Sequence, residues 1–185
     1  DLAGKKKIRK RTVKKEITEN VIIIGASTGG PQILEEIISN LPQSLNAAVL
    51  VVQHMPRPFT HSFAGRLDQT SQLKVKEAEE GEIIKHGVVL LAPGDWHMTL
   101  ERHQEEDGDV NVIVHLNKEI AVKGLRPTID VLMKSASQVL PGENIIGVIL
   151  TGMGEDGLEG MRAIKAVYGH TIVQDPKTAV LESMP

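Results

Sequence analysis

Val21-Ile22-Ile23-Ile24 runs straight into Gly25-Ala26-Ser27-Thr28-Gly29-Gly30-Pro31, and no other stretch limits the fold so tightly. A short β-branched run closed by glycine reads as a buried strand. Directly behind it, Ile33, Leu34, Ile37, Ile38 and Leu41 recur at the spacing of one helix face. A G-x-S-x-G turn between such a strand and helix is expected to hold Ser27 at the strand's carboxyl end with its hydroxyl exposed, where an activated nucleophile is needed. Gly25, Gly29 and Gly30 are expected there because a sharp turn demands backbone angles that a Cβ resists. Pro31 suits a first helical turn. The unpaired N–H groups of the helix start could bind the oxygen of a tetrahedral intermediate.

The remainder alternates in the same way. Ala47 to Val52 reads as a second strand ending at Gln53-His54-Met55-Pro56, and Phe59, Phe63 and Leu67 as a short helix. Gly87 to Ala92 is a further strand stopped by Pro93-Gly94. Met98–His103 and Val110–Leu116 flank an Asp-Gly turn, which predicts an antiparallel hairpin at one edge of the sheet. A helix through Ile129, Leu132, Met133, Ala136 and Val139 precedes the apolar run Ile145–Leu150, which delivers Thr151-Gly152-Met153-Gly154-Glu155-Asp156-Gly157. A helix with Leu158, Met161, Ile164 and Val167, closed by Gly169, and a strand Thr171–Gln174 complete the pattern. The expected class is α/β: a doubly wound, mostly parallel sheet with helices on both faces. Ligands of such sheets bind at the carboxyl ends of the strands, where Ser27, His54 and Asp156 all fall.

Composition narrows the chemistry. A chain of 185 residues with 41% hydrophobic content can bury one ordinary core. Cysteine is absent, which removes disulfides, thiolate metal sites and cysteine nucleophiles and fits a cytoplasmic location. No apolar run approaches the roughly 20 residues of a membrane span, so no membrane insertion is expected. Eight basic residues between Lys5 and Lys15 make residues 1–16 an appendage, and the chain beyond Lys15 holds 13 basic residues against 23 acidic ones. A solvated interdomain linker is preferred for that segment over a nucleic-acid or membrane tether.

A serine hydroxyl needs a base, and an imidazole needs an orienting carboxylate. His54 is the candidate base and Asp156 the candidate acid. Glu155, Asp95, Asp130 and Asp175 compete with Asp156, and Asp95 with His97 forms a possible second acid and base pair. Gly154 and Gly157 favour Asp156, since they let its loop bend inward. The order Ser, His, Asp differs from the order of α/β-hydrolases and of both well-known protease types. His61, His86, His103, His115 and His170 show no metal-ligand spacing, so neither metal nor organic cofactor is expected. The competing reading is a non-enzymatic phosphate or nucleotide binder using Gly25 to Gly30, but that loop lacks the P-loop lysine and has Ser27 where a dinucleotide loop needs its second glycine.

Five ordered segments also carry a resemblance: GASTGGP around Ser27, QHMP around His54, LRPTIDVL over Leu125–Leu132, LTGMGEDG around Asp156, and QDPKTAVLESMP at the end. Together they resemble the catalytic domain of the CheB chemotaxis receptor methylesterases. That resemblance implies hydrolysis of glutamyl methyl esters on chemoreceptor helices and deamidation of receptor glutamines. It assigns Ser27, His54 and Asp156 as nucleophile, base and acid, with Thr28 and Met153 as active-site neighbours near which backbone N–H groups would serve the oxyanion. It further implies that residues 17–185 form the catalytic domain, that 1–16 are the remnant of a linker from an upstream receiver domain, and that the family continues past the position of Pro185. Pro176 departs from the family's glutamate after Gln-Asp.

Overall fold

A computed structural model describes residues 18–106 and 108–185. The expected linker at 1–16 lies outside the described residues.

Six strands form one parallel sheet: β1 (Val21–Ala26), β2 (Ala48–Gln53), β3 (Lys74–Glu77), β4 (Val88–Leu91), and, numbered after the hairpin, β7 (Ile145–Ile149) and β8 (His170–Val173). Their spatial order is β3-β4-β2-β1-β7-β8. β1 and β2 are fully or nearly buried throughout, because both faces of the sheet are covered. Alternate residues face opposite layers. Ile24, Val49 and Val51 pack with Leu34 and Ile38 of α1 (Gly30–Asn40) and with Phe63 and Leu67 of α2 (Arg57–Thr70). Ile23, Leu50 and Val52 pack with Leu132 and Met133 of α3 (Ile129–Val139) and Ile164 of α4 (Leu158–Ala166). Fully burying one such aliphatic side chain is worth about 1.5–3 kcal/mol.

The doubly wound class is therefore present, with two differences from the sequence reading. β3 was not expected; its Lys74, Val75, Lys76 alternation is too short to stand out, and it is the edge strand beside β4. The expected hairpin forms from β5 (His97–Gln104) and β6 (Val110–Asn117), but as a separate two-stranded sheet. Rather than extending an edge, it turns Met98, Leu100, Val112 and Val114 into the core shared with α3. Ser135 Oγ, on α3, accepts the Leu100 N–H at 3.0 Å and fixes that layer to the helix.

Register sets the position of the site. Ala26 pairs with Gln53 and Gly25 with Ile149, so β1, β2 and β7 end abreast. The chain leaves β1 toward β2 on one side while β7 lies on the other. The crevice at this reversal is where open α/β sheets place ligands.

Candidate active site

Ser27 follows β1 and is half-buried at the turn into α1. Its N–H donates to Thr151 O at 3.0 Å, and its carbonyl accepts from Gly30 N at 2.8 Å. Of the three glycines expected for strained angles, only Gly29 adopts one, with φ 82° as the N-cap of α1. Gly25 and Gly30 are required for close approach instead. A Cβ on Gly25 would stand 2.5 Å from Ile129 Cδ1, where α3 presses onto β1, and a Cβ on Gly30 would overlap Gln53 Oε1.

His54 follows β2, and its N–H donates to Ala26 O at 3.1 Å. Its Nε2 lies 2.7 Å from Asp156 Oδ2, with the two side chains 9% and 8% exposed. Asp156 also accepts the first N–H groups of α3: Ile129 N at 2.8 Å on Oδ2 and Asp130 N at 3.1 Å on Oδ1. Thr128, the N-cap residue of α3, makes no side-chain cap bond, so the carboxylate from the distant loop takes that place. Burial alone would raise the Asp156 pKa. The bonds from His54, Ile129 N and Asp130 N outweigh it and hold the carboxyl below its usual value, charged at neutral pH.

The arrangement is reciprocal, since Asp130 Oδ1 accepts from Gly157 N at 3.0 Å and Gly160 N at 2.7 Å at the start of α4. Gly157 takes φ 104°, and a Cβ there would run into Ile149. Asp156 is thus the acid that reaches the imidazole, while its rivals are placed elsewhere. Glu155 pairs with Lys123, Asp130 braces α4, and Asp175 caps its own turn through Lys177 N. Asp95 and His97 do not pair. Asp95 is exposed with φ 66°, whereas His97 is 1% exposed, with Nδ1 3.5 Å from Thr128 Oγ1. Burial, assisted by the nearby Arg126 charge, pushes the His97 pKa down.

The third strand end completes the crevice. A Cβ on Gly152 would stand 2.8 Å from Ser27 Cβ, so the 151–157 loop lies against the serine. Residues 180–184 strap that loop: Gly152 N donates to Leu181 O, Met184 N to Gly152 O, and Gly154 N to Ser183 Oγ. Thr28 is exposed and Met153 is 73% exposed. Among the described residues, the N–H groups of Thr28, Gly29 and Met153 have no hydrogen-bond partner. Ser27 Oγ likewise makes no hydrogen bond among them, so the imidazole and carboxylate are joined here and the hydroxyl is not.

Sequence reasoning passed over Gln53. It is 2% exposed, and its Nε2 donates to both Ser27 O (2.9 Å) and His54 O (3.2 Å). The available signal was a polar residue closing an otherwise apolar strand. Beside His54, Met55, Pro56, Asp95, Gly124, Leu125, Arg126 and Pro127 line a groove of about 320 Å³. Among the described residues, no cluster of His, Asp and Glu is placed to hold a metal ion, and no helix is long and apolar enough to cross a membrane.

Comparison with known proteins places the chain in a family. Residues 22–185 match the family model described as CheB methylesterase. A protein-glutamate methylesterase/protein-glutamine glutaminase of Caldanaerobacter subterraneus is 47% identical over 93% of this chain and 45% of its own length. One of the same description from Thermotoga maritima is 42% identical over the whole chain and 52% of its own length, so the chain spans about half the length of such relatives. The crystal structure of the Thermotoga maritima CheB methylesterase catalytic domain superposes with a TM-score of 0.84 at 43% identity, covering 91% of this chain and 86% of that one. A mostly parallel sheet closed by helices, a serine turn and a histidine bonded to a carboxylate across 102 residues thus accompany sequence likeness along nearly all of the described chain, and the protein belongs to the CheB methylesterase family.

Proposed function

We propose that the domain is a serine hydrolase that demethylates glutamyl methyl esters on chemoreceptors and deamidates receptor glutamines through Ser27, His54 and Asp156. The observation that carries this reading is the 2.7 Å bond between His54 Nε2 and a buried, charged Asp156 at the strand end beside Ser27. With Nε2 committed to the acid, Nδ1 is the nitrogen that takes the hydroxyl proton. Ser27 Oγ bonds to the ester carbonyl carbon, and the carbonyl electron pair moves to its oxygen, which the Thr28 and Met153 N–H groups receive. The tetrahedral intermediate collapses with loss of methanol, which carries away the proton from His54. Water then gives a proton to the imidazole and its oxygen to the acyl carbon, and Ser27 Oγ leaves, taking that proton back from His54, to free the glutamyl carboxyl group. A glutamine substrate follows the same path with ammonia departing.

The groove beside His54 suits the polypeptide that presents the ester. Arg126 lines it, Arg57 follows its lining residue Pro56 and Lys118 O accepts from Arg126, and none of the three cations has a carboxylate partner within ion-pair distance among the described residues. Lys118 Nζ stands 4.5 Å over the Trp96 ring, and Arg126 Nη1 donates to the carbonyls of Lys118 and Glu119. In an acidic domain these cations would draw an acidic receptor helix to the cleft. Residues 17–185 are the catalytic unit in this reading, and 1–16 lead from an N-terminal receiver domain that covers the same strand ends. The setting is the cytoplasm, where the signalling ends of receptors lie.

Methanol release from methylated receptor membranes tests the assignment. Ser27→Ala and His54→Ala are expected to abolish it to within background. Undiminished release by the serine variant would overturn the nucleophile.

A further inference from the structure

Gln53 is the last residue of β2, and its side chain points to the α1 layer, in the row of Val49 and Val51. That row is otherwise apolar, and an amide placed there without partners would be destabilising. The Nε2 group instead lies within bonding distance of two carbonyls, 2.9 Å from Ser27 O and 3.2 Å from His54 O. Both neighbours can only accept, so the NH2 end must face them and the oxygen must point away. Oε1 is buried and has no hydrogen-bond partner among the described residues. It occupies the space that a Cβ of residue 30 would take, which explains the second glycine of the Gly29-Gly30 pair.

The two carbonyls are not arbitrary. One belongs to the residue proposed as nucleophile and the other to the residue proposed as base, and the strand ladder that aligns β1 with β2 stops at Ala26 and Gln53, one residue short of both. Beyond that point His54 N still donates to Ala26 O, and Ser27 N turns to Thr151 O on the opposite side. Gln53 is therefore the only side chain among the described residues that hydrogen-bonds to the backbone of both Ser27 and His54.

We infer that Gln53 is a positioning residue, clamping the backbones of Ser27 and His54 to one another through a single side-chain amide. This rests on the proposed roles of Ser27 and His54. Displacing reacting groups by about 1 Å can lower a rate by two orders of magnitude, so the clamp should act on turnover more than on substrate affinity.

The test uses Gln53→Met, similar in shape with no donor, and Gln53→Glu, which sets a carboxylate against two carbonyls. Ester hydrolysis per folded molecule is measured, with amide hydrogen exchange at Ser27, His54 and Leu50. The expected result is a fall in kcat of about 10- to 100-fold for Met and a larger one for Glu, with KM within about twofold. The Ser27 and His54 amides should exchange about tenfold faster while Leu50 does not change. A merely packing role predicts that Met is harmless. Wild-type kcat in Gln53→Met, or unaltered exchange at both amides, would overturn the inference. Were the wild type to hydrolyse no ester, the functional reading would fail by itself, and the exchange rates would still decide for or against the clamp.

Discussion

Two helix starts face the same crevice, and they are finished differently. At α3 the first N–H groups are occupied by the Asp156 carboxylate, an anion at neutral pH held by three hydrogen bonds. At α1 the N-cap is Gly29, no side chain caps it, and the N–H groups of Thr28 and Gly29 are open among the described residues. Both ends carry the partial positive charge of unpaired donors. In the proposed mechanism the filled end fixes the acid that orients His54, and the open end is left for a charge that exists only while an intermediate does. On that reading one physical device serves ground-state order in one place and transition-state binding in the other.

The contrast is broken most severely at the filled end. Asp156→Asn keeps the shape but offers the imidazole an amide, and kcat for receptor demethylation is expected to fall by about 10³- to 10⁴-fold. Asp156→Ala should add a loss of about 1–2 kcal/mol in urea unfolding, since it uncaps α3. The pH dependence has a definite sign. A carboxyl held below its ordinary 3.8 contributes stability above that value and loses it as pH falls through the lower folded pKa, and Asp156→Asn should remove that part of the acid limb.

At the open end, Gly29→Ala sharpens the comparison. Its φ of 82° disfavours a side chain, and the new Cβ would stand 2.6 Å from Val180 Cβ. Demethylation is expected to drop by about 10²-fold, the loss associated with one oxyanion donor, with about 1–2 kcal/mol of stability lost. Equal activity in this variant would show that the open turn has no need of its present shape.

Smaller effects come from groups behind the filled end and remote from both. Buried His97 has a folded pKa below its ordinary 6.5, so the unfolded chain takes up the proton first and stability declines as pH falls below 6.5. His97→Gln should flatten that slope in thermal unfolding below pH 6.5. On the outer hairpin the sign is opposite. The bond from its ring N–H to Glu80 raises the His115 pKa, so its contribution is complete below 6.5 and is lost as pH rises through the folded value. Both partners are substantially exposed, and Glu80→Gln should alter stability by less than about 0.5 kcal/mol.

Local pattern was enough to read most of the fold, because each long element carries its own period. Val21–Ile24, the face through Leu34 and Ile38, and the run at Ile145 are legible one at a time. β3 was missed because a four-residue edge strand carries too few alternations. The hairpin was foreseen, but its partner layer was not, since nothing in its own residues says that Leu100 meets Ser135. The same limit applies to the site. Spacing could bring Ser27, His54 and Asp156 to one end of a sheet, but the bond from Gln53 to Ser27 O and the bond from Ile129 N to Asp156 join residues 26 and 27 apart. The glycines illustrate this best: turn strain accounts for Gly29, whereas Gly25 and Gly30 are small because Ile129 and Gln53 come close.

The strap at 180–184 bears on how the protein is made. Thr151 Oγ1 accepts the Leu181 N–H at 2.9 Å and lies 3.0 Å from Thr28 O, so residues synthesised well after the Ser27 turn hold that turn in place. A nascent chain halted at residue 179 would already hold Ser27, His54 and Asp156 and still lack the brace that orients Gly152 and Gly154. If Ser27, His54 and Asp156 act as proposed, the cleft is braced for chemistry only once synthesis has passed this point.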